Sequence, residues 1–162
     1  MKKFFAAFLG FVIGFYIFMP KTYLFYYLQN KLLENKIYIT AQLRPGPIKL
    51  ELNQGKIYYK SVNVASFKKA EVYCFIIYNE TDIKTVEFPV ENLVIQKVKF
   101  SHTMFKPYLI KINAKGNFAE KISGNIDLLN KEIKIYFKNI KNDSIKEFLN
   151  KDKKGYFYYE KL

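Results

Sequence analysis

The chain has 162 residues, half of them apolar and 19% aromatic, which supplies surface for one buried core and excludes intrinsic disorder. Seven glycines and five prolines exclude collagen-like and flexible low-complexity classes. Basic residues number 27 against 14 acidic, a formal charge of +13; Arg44 is the one arginine, Cys74 the one cysteine and His102 the one histidine. No intrachain disulfide and no cysteine-based metal cage can form. The Lys, Asn, Ile, Tyr and Phe enrichment also fits a compositionally biased source genome.

A basic head, Met1–Lys3, precedes Phe4–Met19, a run with no charge whose bulk comes from Phe4, Phe8, Phe11, Ile13, Phe15 and Ile17. Sixteen helical residues span about 24 Å, less than the roughly 30 Å hydrocarbon core of a bilayer. The run extends past Pro20 and Lys21 into Thr22–Leu28, where Tyr23, Tyr26 and Tyr27 suit an interfacial belt. A cleaved signal peptide would need small residues before the cut, and Ile17–Tyr23 is bulky. Residues 1–22 are therefore expected to form an uncleaved transmembrane signal anchor. Lys2 and Lys3 favour a cytoplasmic N-terminus, although Lys21, Lys31 and Lys36 pull the other way. The body is expected outside the cytoplasm.

Residues 23–36 carry apolar side chains at Leu24, Tyr27, Leu28 and Leu32, a helical spacing that predicts an amphipathic connecting helix kinked at Pro20. From residue 37 to 162 the period changes to two. Ile37–Ala41 predicts a strand, Arg44–Pro47 a turn, and Ile48, Leu50 and Leu52 a second strand. Asn53–Gly55 predicts a tight turn into Lys56–Lys60. Val62 and Val64 open another segment. Glu71–Tyr78, apolar on both faces, predicts a central strand, and Asn79–Asp82 a loop. Val90–Ile95 and Lys97–Phe100 resume alternation, followed by Tyr108–Ala114, which Gly116 and Phe118 carry on. Lys121–Leu129 and Glu132–Lys138 predict the clearest hairpin, turning at Asn130–Lys131. Asp143 is placed to cap a helix over Ser144–Leu149, and Gly155 opens a last strand, Tyr156–Glu160.

This pattern predicts a mainly β fold of eight to ten antiparallel strands: a curled or folded-over sheet, as in an open barrel or a β-taco, preceded by the anchor and with a short helix near the C-terminus. One face of its later strands collects Ile110, Ile112, Ile122, Ile126, Ile133, Ile135 and Phe137. These fill a core or, if the sheet curls without closing, line an apolar groove.

Catalytic chemistry finds little to work with. His102, in a turn-like Ser101–Met104, has no placed partner, and Cys74 reads as a core thiol. The carboxylates are scattered; Glu80 and Asp82 are close, but in the predicted loop. No nucleotide, hydrolase or metal motif is present, so no enzyme, cofactor or metal is expected. Lysine interleaved with aromatics at Lys56–Lys60 and Lys134–Lys138 fits a solvated sheet face or one lying beside anionic headgroups. Nucleic acid is not an expected partner, because its readers favour arginine.

The segments Lys49–Tyr73 (KLELNQGKIYYKSVNVASFKKAEVY), Gly116–Phe137 (GNFAEKISGNIDLLNKEIKIYF) and Ser144–Glu160 (SIKEFLNKDKKGYFYYE), behind a short anchor ending at Pro20, resemble the type II secretion protein N group. That group is similar to the wider AsmA-like membrane-anchored β proteins. The resemblance implies a non-catalytic, single-pass protein of the bacterial inner membrane. Its β domain would lie in the periplasm, with protein partners in a secretion or envelope-transport machine. The alternative is a module similar to the lipopolysaccharide-export anchor proteins, whose curled sheet carries the acyl chains of a lipid.

Overall fold

The protein is described by a computed structural model covering residues 2–75, 77–89 and 93–161. Two helices lead the chain, α1 (Lys2–Phe18) and α2 (Lys21–Glu34). Pro20, extended and without an N–H to donate, separates them, and they are bent by 60°. Neither helix is long and apolar enough to cross a membrane alone; the bent pair passes by length and composition together. α1 is apolar around its whole circumference and buries none of its residues.

Ten strands follow: β1 (Ile37–Pro45), β2 (Lys49–Tyr59), β3 (Val62–Cys74), β4 (Tyr78–Glu87), β5 (Val94–Thr103), β6 (Lys106–Gly116), β7 (Ala119–Asp127), β8 (Glu132–Ile140), β9 (Asn150–Asp152) and β10 (Gly155–Lys161). They form one antiparallel sheet in the order β1 to β8, then β10, then β9. The outermost strands, β1 and β9, do not pair, so the sheet is open. α2 lies along β1, and the Gln29 amide accepts from Ile39 N–H (3.3 Å) and donates to Ile39 C=O (3.1 Å). That covers part of an edge whose unpaired backbone groups would invite another strand.

Alternation puts one apolar set on the inner face. Leu52, Ala70, Ile83, Val98, Ala114, Ile122 and Phe137 are successive register partners from β2 to β8. The alternation changes phase once in each of several neighbouring strands. Buried Leu52 is followed by Gly55, Phe67 by Ala70, Ile83 by Val86, Ile95 by Val98, Ala119 by Ile122, and Phe137 by Ile140. The slip passes through Gln54, Thr85 and Asn139, whose φ values of 51°, 53° and 53° lie in the left-handed region. At Gln54 the slip coincides with a register shift between β1 and β2, a bulge, whereas the ladders across Thr85 and Asn139 keep their register, so neighbouring strands change phase together and the apolar set stays on one side.

Several sequence expectations need correction on this frame. Asn53–Gly55 is a bulge inside β2 rather than a turn, because Gly55 still pairs with Phe67. The apolar run from Glu71 is not one strand: it closes β3 at Cys74, and Tyr78 opens β4, with Ile76 outside the described residues. Asn79–Asp82 belongs to β4, not to a loop, and His102 belongs to β5, where it pairs with Asn79. Of the segment Val90–Ile95, residues 90–92 lie outside the described residues, and β5 runs unbroken from Val94 through Phe100. Gly116 ends β6 and Ala119 opens β7, so Phe118 stands in a turn. The late helix is 3-10, Asp143–Phe148, and its cap is Asn142, whose side chain accepts from Ser144 N–H, rather than Asp143.

Candidate functional site: an apolar groove on the inner face

Gly55 shows how the inner face is built. Its partner across the β2–β3 ladder is Phe67, whose ring lies over it: a Cβ at Gly55 would stand 1.9 Å from the ring. Gly124 does the same for backbone, since a Cβ there would meet the Lys134 carbonyl oxygen at 2.2 Å. Glycine at these two places lets an aromatic ring and a neighbouring strand come close.

Between these contacts lies an apolar groove of about 370 Å³. Its walls come from every strand between β2 and β8: Ile57, Ala65, Phe67, Ile83, Val86, Phe88, Ile95, Val98, Phe100, Ile112, Ala114, Phe118, Ile122, Ile135 and Phe137. Ligand sites fall in roughly the 300–1,000 Å³ range and are mostly apolar. Of the residues expected to line a groove, Ile112, Ile122, Ile135 and Phe137 do so. Ile110, Ile126 and Ile133 are not in its walls. They form the next cross-strand row, partnered Ile110 to Ile126 and Ile126 to Ile133, and Ile126 packs against the core. Sequence reasoning missed the β2–β5 wall, above all Phe67, Val86 and Phe100. The phase slip that crosses β2 to β5 hid it, because strict alternation assigns the two halves of each strand to opposite faces.

The outer face is ionic. Lys49 lies 2.7 Å from Glu51 and 2.5 Å from Glu71, and Lys69 lies 3.3 Å and 3.1 Å from the same pair. Hydrogen bonds first from Lys49 and then from Lys69 hold the Glu71 carboxyl down at about 2. Glu51 is lowered by the same two lysines, Lys49 the larger. In β4, Glu80 and Asp82 pair with Lys99 (2.7 Å) and Lys97 (3.5 Å). These acids serve the sheet surface as ion pairs.

Cys74, Asn79 and His102 share one row of the inner face. Two strand spacings, about 10 Å, separate the thiol from the imidazole. Burial pushes the Cys74 thiol up, which disfavours the thiolate. His102 Nδ1 is buried without a hydrogen-bond partner. Among the described residues, no three His, Cys, Asp or Glu side chains converge to hold a metal ion. A wider depression of about 790 Å³ opens at the α2–β1 corner between Tyr38, Tyr58, Lys36 and Lys60. Its lysines, tyrosine hydroxyls and Thr40 mix polar with apolar lining, whereas the groove walls are all apolar side chains.

α1 meets the body at one end of the sheet. The Tyr16 hydroxyl donates to Ile48 C=O (3.0 Å), and its ring stacks on Phe75 at 5.8 Å. Lys21, although buried, donates to Pro47 C=O (2.6 Å) and to Tyr16 C=O (3.3 Å). The second bond satisfies a carbonyl in the last turn of α1.

Comparison of the chain with protein-family models, with curated proteins and with solved structures finds no match to any of them.

Proposed function

We propose that this chain is a membrane-attached lipid carrier whose curled sheet holds acyl chain in the groove. The groove carries the reading: about 370 Å³ of open space walled by apolar side chains alone. Residues of β2 and β8 share those walls although six strand spacings, about 29 Å in a flat sheet, would separate them. Curling along the line of the phase slip supports that sharing. An open apolar trough suits hydrocarbon, because neither wall nor ligand must lose hydrogen bonds to water on binding.

Attachment is supported by α1. Its 17 residues bury nothing, which favours a non-aqueous surrounding for a helix apolar on all sides. A helix of that length spans about 26 Å, and α2 adds length beyond the bend. The body is placed in the periplasm of a bacterial inner-membrane protein, following the basic head. The carrier reading assigns no catalytic group. A secretion-machine scaffold would share the anchor and the β body but would work with a filled inner face and bind proteins through the outer one.

Photo-crosslinking in cells separates the two. A photoreactive residue at Ile135, in the groove wall, is expected to give lipid adducts, and one at Lys134, on the outer face, none. A discrete protein adduct from Lys134 with no lipid at Ile135 would favour the scaffold and overturn the carrier.

A further inference from the structure

The meander puts alternate turns at opposite ends of the sheet. At one end lie the β1–β2, β3–β4, β5–β6 and β7–β8 turns, and each presents large apolar side chains to solvent: Ile48, Ile77, Met104 with Phe105, and Leu128 with Leu129. Phe105 is 83% exposed and Leu129 72%. Met104 N–H donates to Ile77 C=O (2.9 Å), tying the β5–β6 turn to the β3–β4 turn, and Leu128 N–H donates to Tyr108 C=O in β6 (2.8 Å). At the other end the turns offer Lys60–Ser61, Lys141–Asn142 and Lys153–Lys154; Phe118 is buried, Phe88 is partly exposed at the groove rim, and Val62 is an isolated exposed apolar side chain.

We infer that the apolar-tipped end of the sheet is seated in the interface of a lipid bilayer, with these four turns reaching the acyl-chain level. Two further observations point to lipid rather than to a protein. The apolar tips adjoin α1: Val12, Ile13 and Tyr16 line one apolar depression with Phe75 and Ile77 at this same end, and the Tyr16 ring stacks on Phe75. Around the tips stand exposed Arg44, Lys106 and Lys131 and the rings of Tyr78 and Tyr108, the residue types that settle at headgroup level. Nearby acids are engaged: Asp127 accepts from Leu129 and Asn130 N–H, and Glu132 accepts from the Tyr159 hydroxyl. Among the described residues Arg44, Lys106 and Lys131 stand in no ion pair, which leaves them for anionic headgroups.

The placement deepens the carrier reading and rests on its membrane attachment. Between tips and groove runs the row Ile110–Ile126–Ile133, on the same face as Ile112 and Ile135. An acyl chain would pass from the bilayer along this row into the groove without crossing a polar surface.

The test uses the full chain in a Cys74→Ala background, reconstituted in vesicles of phosphatidylcholine and phosphatidylglycerol containing acyl-brominated lipid. A fluorescent bimane is attached singly at Phe105→Cys, Leu129→Cys, Lys60→Cys, Lys153→Cys or Phe11→Cys. Strong quenching is expected at positions 11, 105 and 129, several-fold above that at 60 and 153. Quenching at 11 but not at 105 or 129 overturns the seating and leaves the attachment intact. No quenching at 11 removes the attachment and the seating together. Disulfide-linked dimers through Leu129→Cys in place of quenching would assign this end to a second copy of the chain and overturn the bilayer.

Discussion

The two ends of the sheet both close antiparallel strands, but the side chains at their tips differ. One end carries Met104, Phe105, Leu128 and Leu129 in the open, ringed by Arg44, Lys106 and Lys131; the other carries Lys60, Ser61, Lys141 and Lys153, with Val62 a single exposed apolar side chain. Turn geometry asks for neither set. The β7–β8 turn is held by Asp127, which accepts from two backbone N–H groups, and its leucines add nothing to that. Nor does the core need them, since the inner face is already lined by Phe67, Val98, Ile112 and their neighbours. The contrast teaches that the apolar tips answer to something outside the folded body, while residues of identical chemistry a few positions away answer to the fold.

Two phenylalanines make that contrast sharpest. Phe67→Ala empties the space over Gly55 and is expected to cost about 3–5 kcal/mol, read as a lower urea midpoint. Phe105→Ala, from a side chain already exposed, is expected to stay within about 0.5 kcal/mol. Equal losses would mean that Phe105 packs in the fold, and the distinction between the ends would collapse.

The next effect is on the bilayer. Replacing Phe105 and Leu129 together by Asp removes the transfer of two large apolar side chains, about 3 kcal/mol or more. A bimane at Met104→Cys should then lose its quenching by brominated lipid while one at Phe11→Cys keeps it. Lys60→Asp with Lys153→Asp, at the other end, should change neither.

Glycines separate structure from tip in the same way. Gly124→Ala drives a methyl into the Lys134 carbonyl and should cost about 1–3 kcal/mol by thermal unfolding. Gly46→Ala, in the β1–β2 turn, meets only the Lys49 carbonyl oxygen at 3.1 Å and should cost clearly less.

The smallest effect belongs to the outer face. Glu71 titrates at about 2 in the folded chain, below the ordinary glutamate value. A depressed carboxyl contributes stability that is complete above its unfolded pKa and lost as pH falls through the folded one. Urea midpoints should therefore fall between about pH 5 and pH 2, and less steeply in Glu71→Gln. An identical slope in that variant would remove Glu71 from the acid response.

Much of this was legible in the residues themselves. Alternation around Ile110–Ala114, Lys121–Leu128 and Ile133–Phe137 marked three neighbouring strands and their shared apolar face, because side-chain direction in a strand has period two. Pro20 marked the break between the helices through its missing N–H. Local patterns failed where the strand itself slipped. A left-handed residue at Gln54 or Thr85 reverses the phase of alternation, and nothing in the identity of glutamine or threonine announces that φ will be positive there.

The sequence by itself therefore determined a β-rich body behind an apolar helix, the breakpoints between many of its elements and the apolar face of its later strands, since these follow from periodicity and from single-residue backbone chemistry. Only the tertiary structure decided that Phe67, Val86 and Phe100 join Ile112, Ile135 and Phe137 around one groove. It also gathered four separated turns into one apolar end. Both depend on which strands become neighbours and in what register, and register is fixed by contacts between residues far apart in the chain.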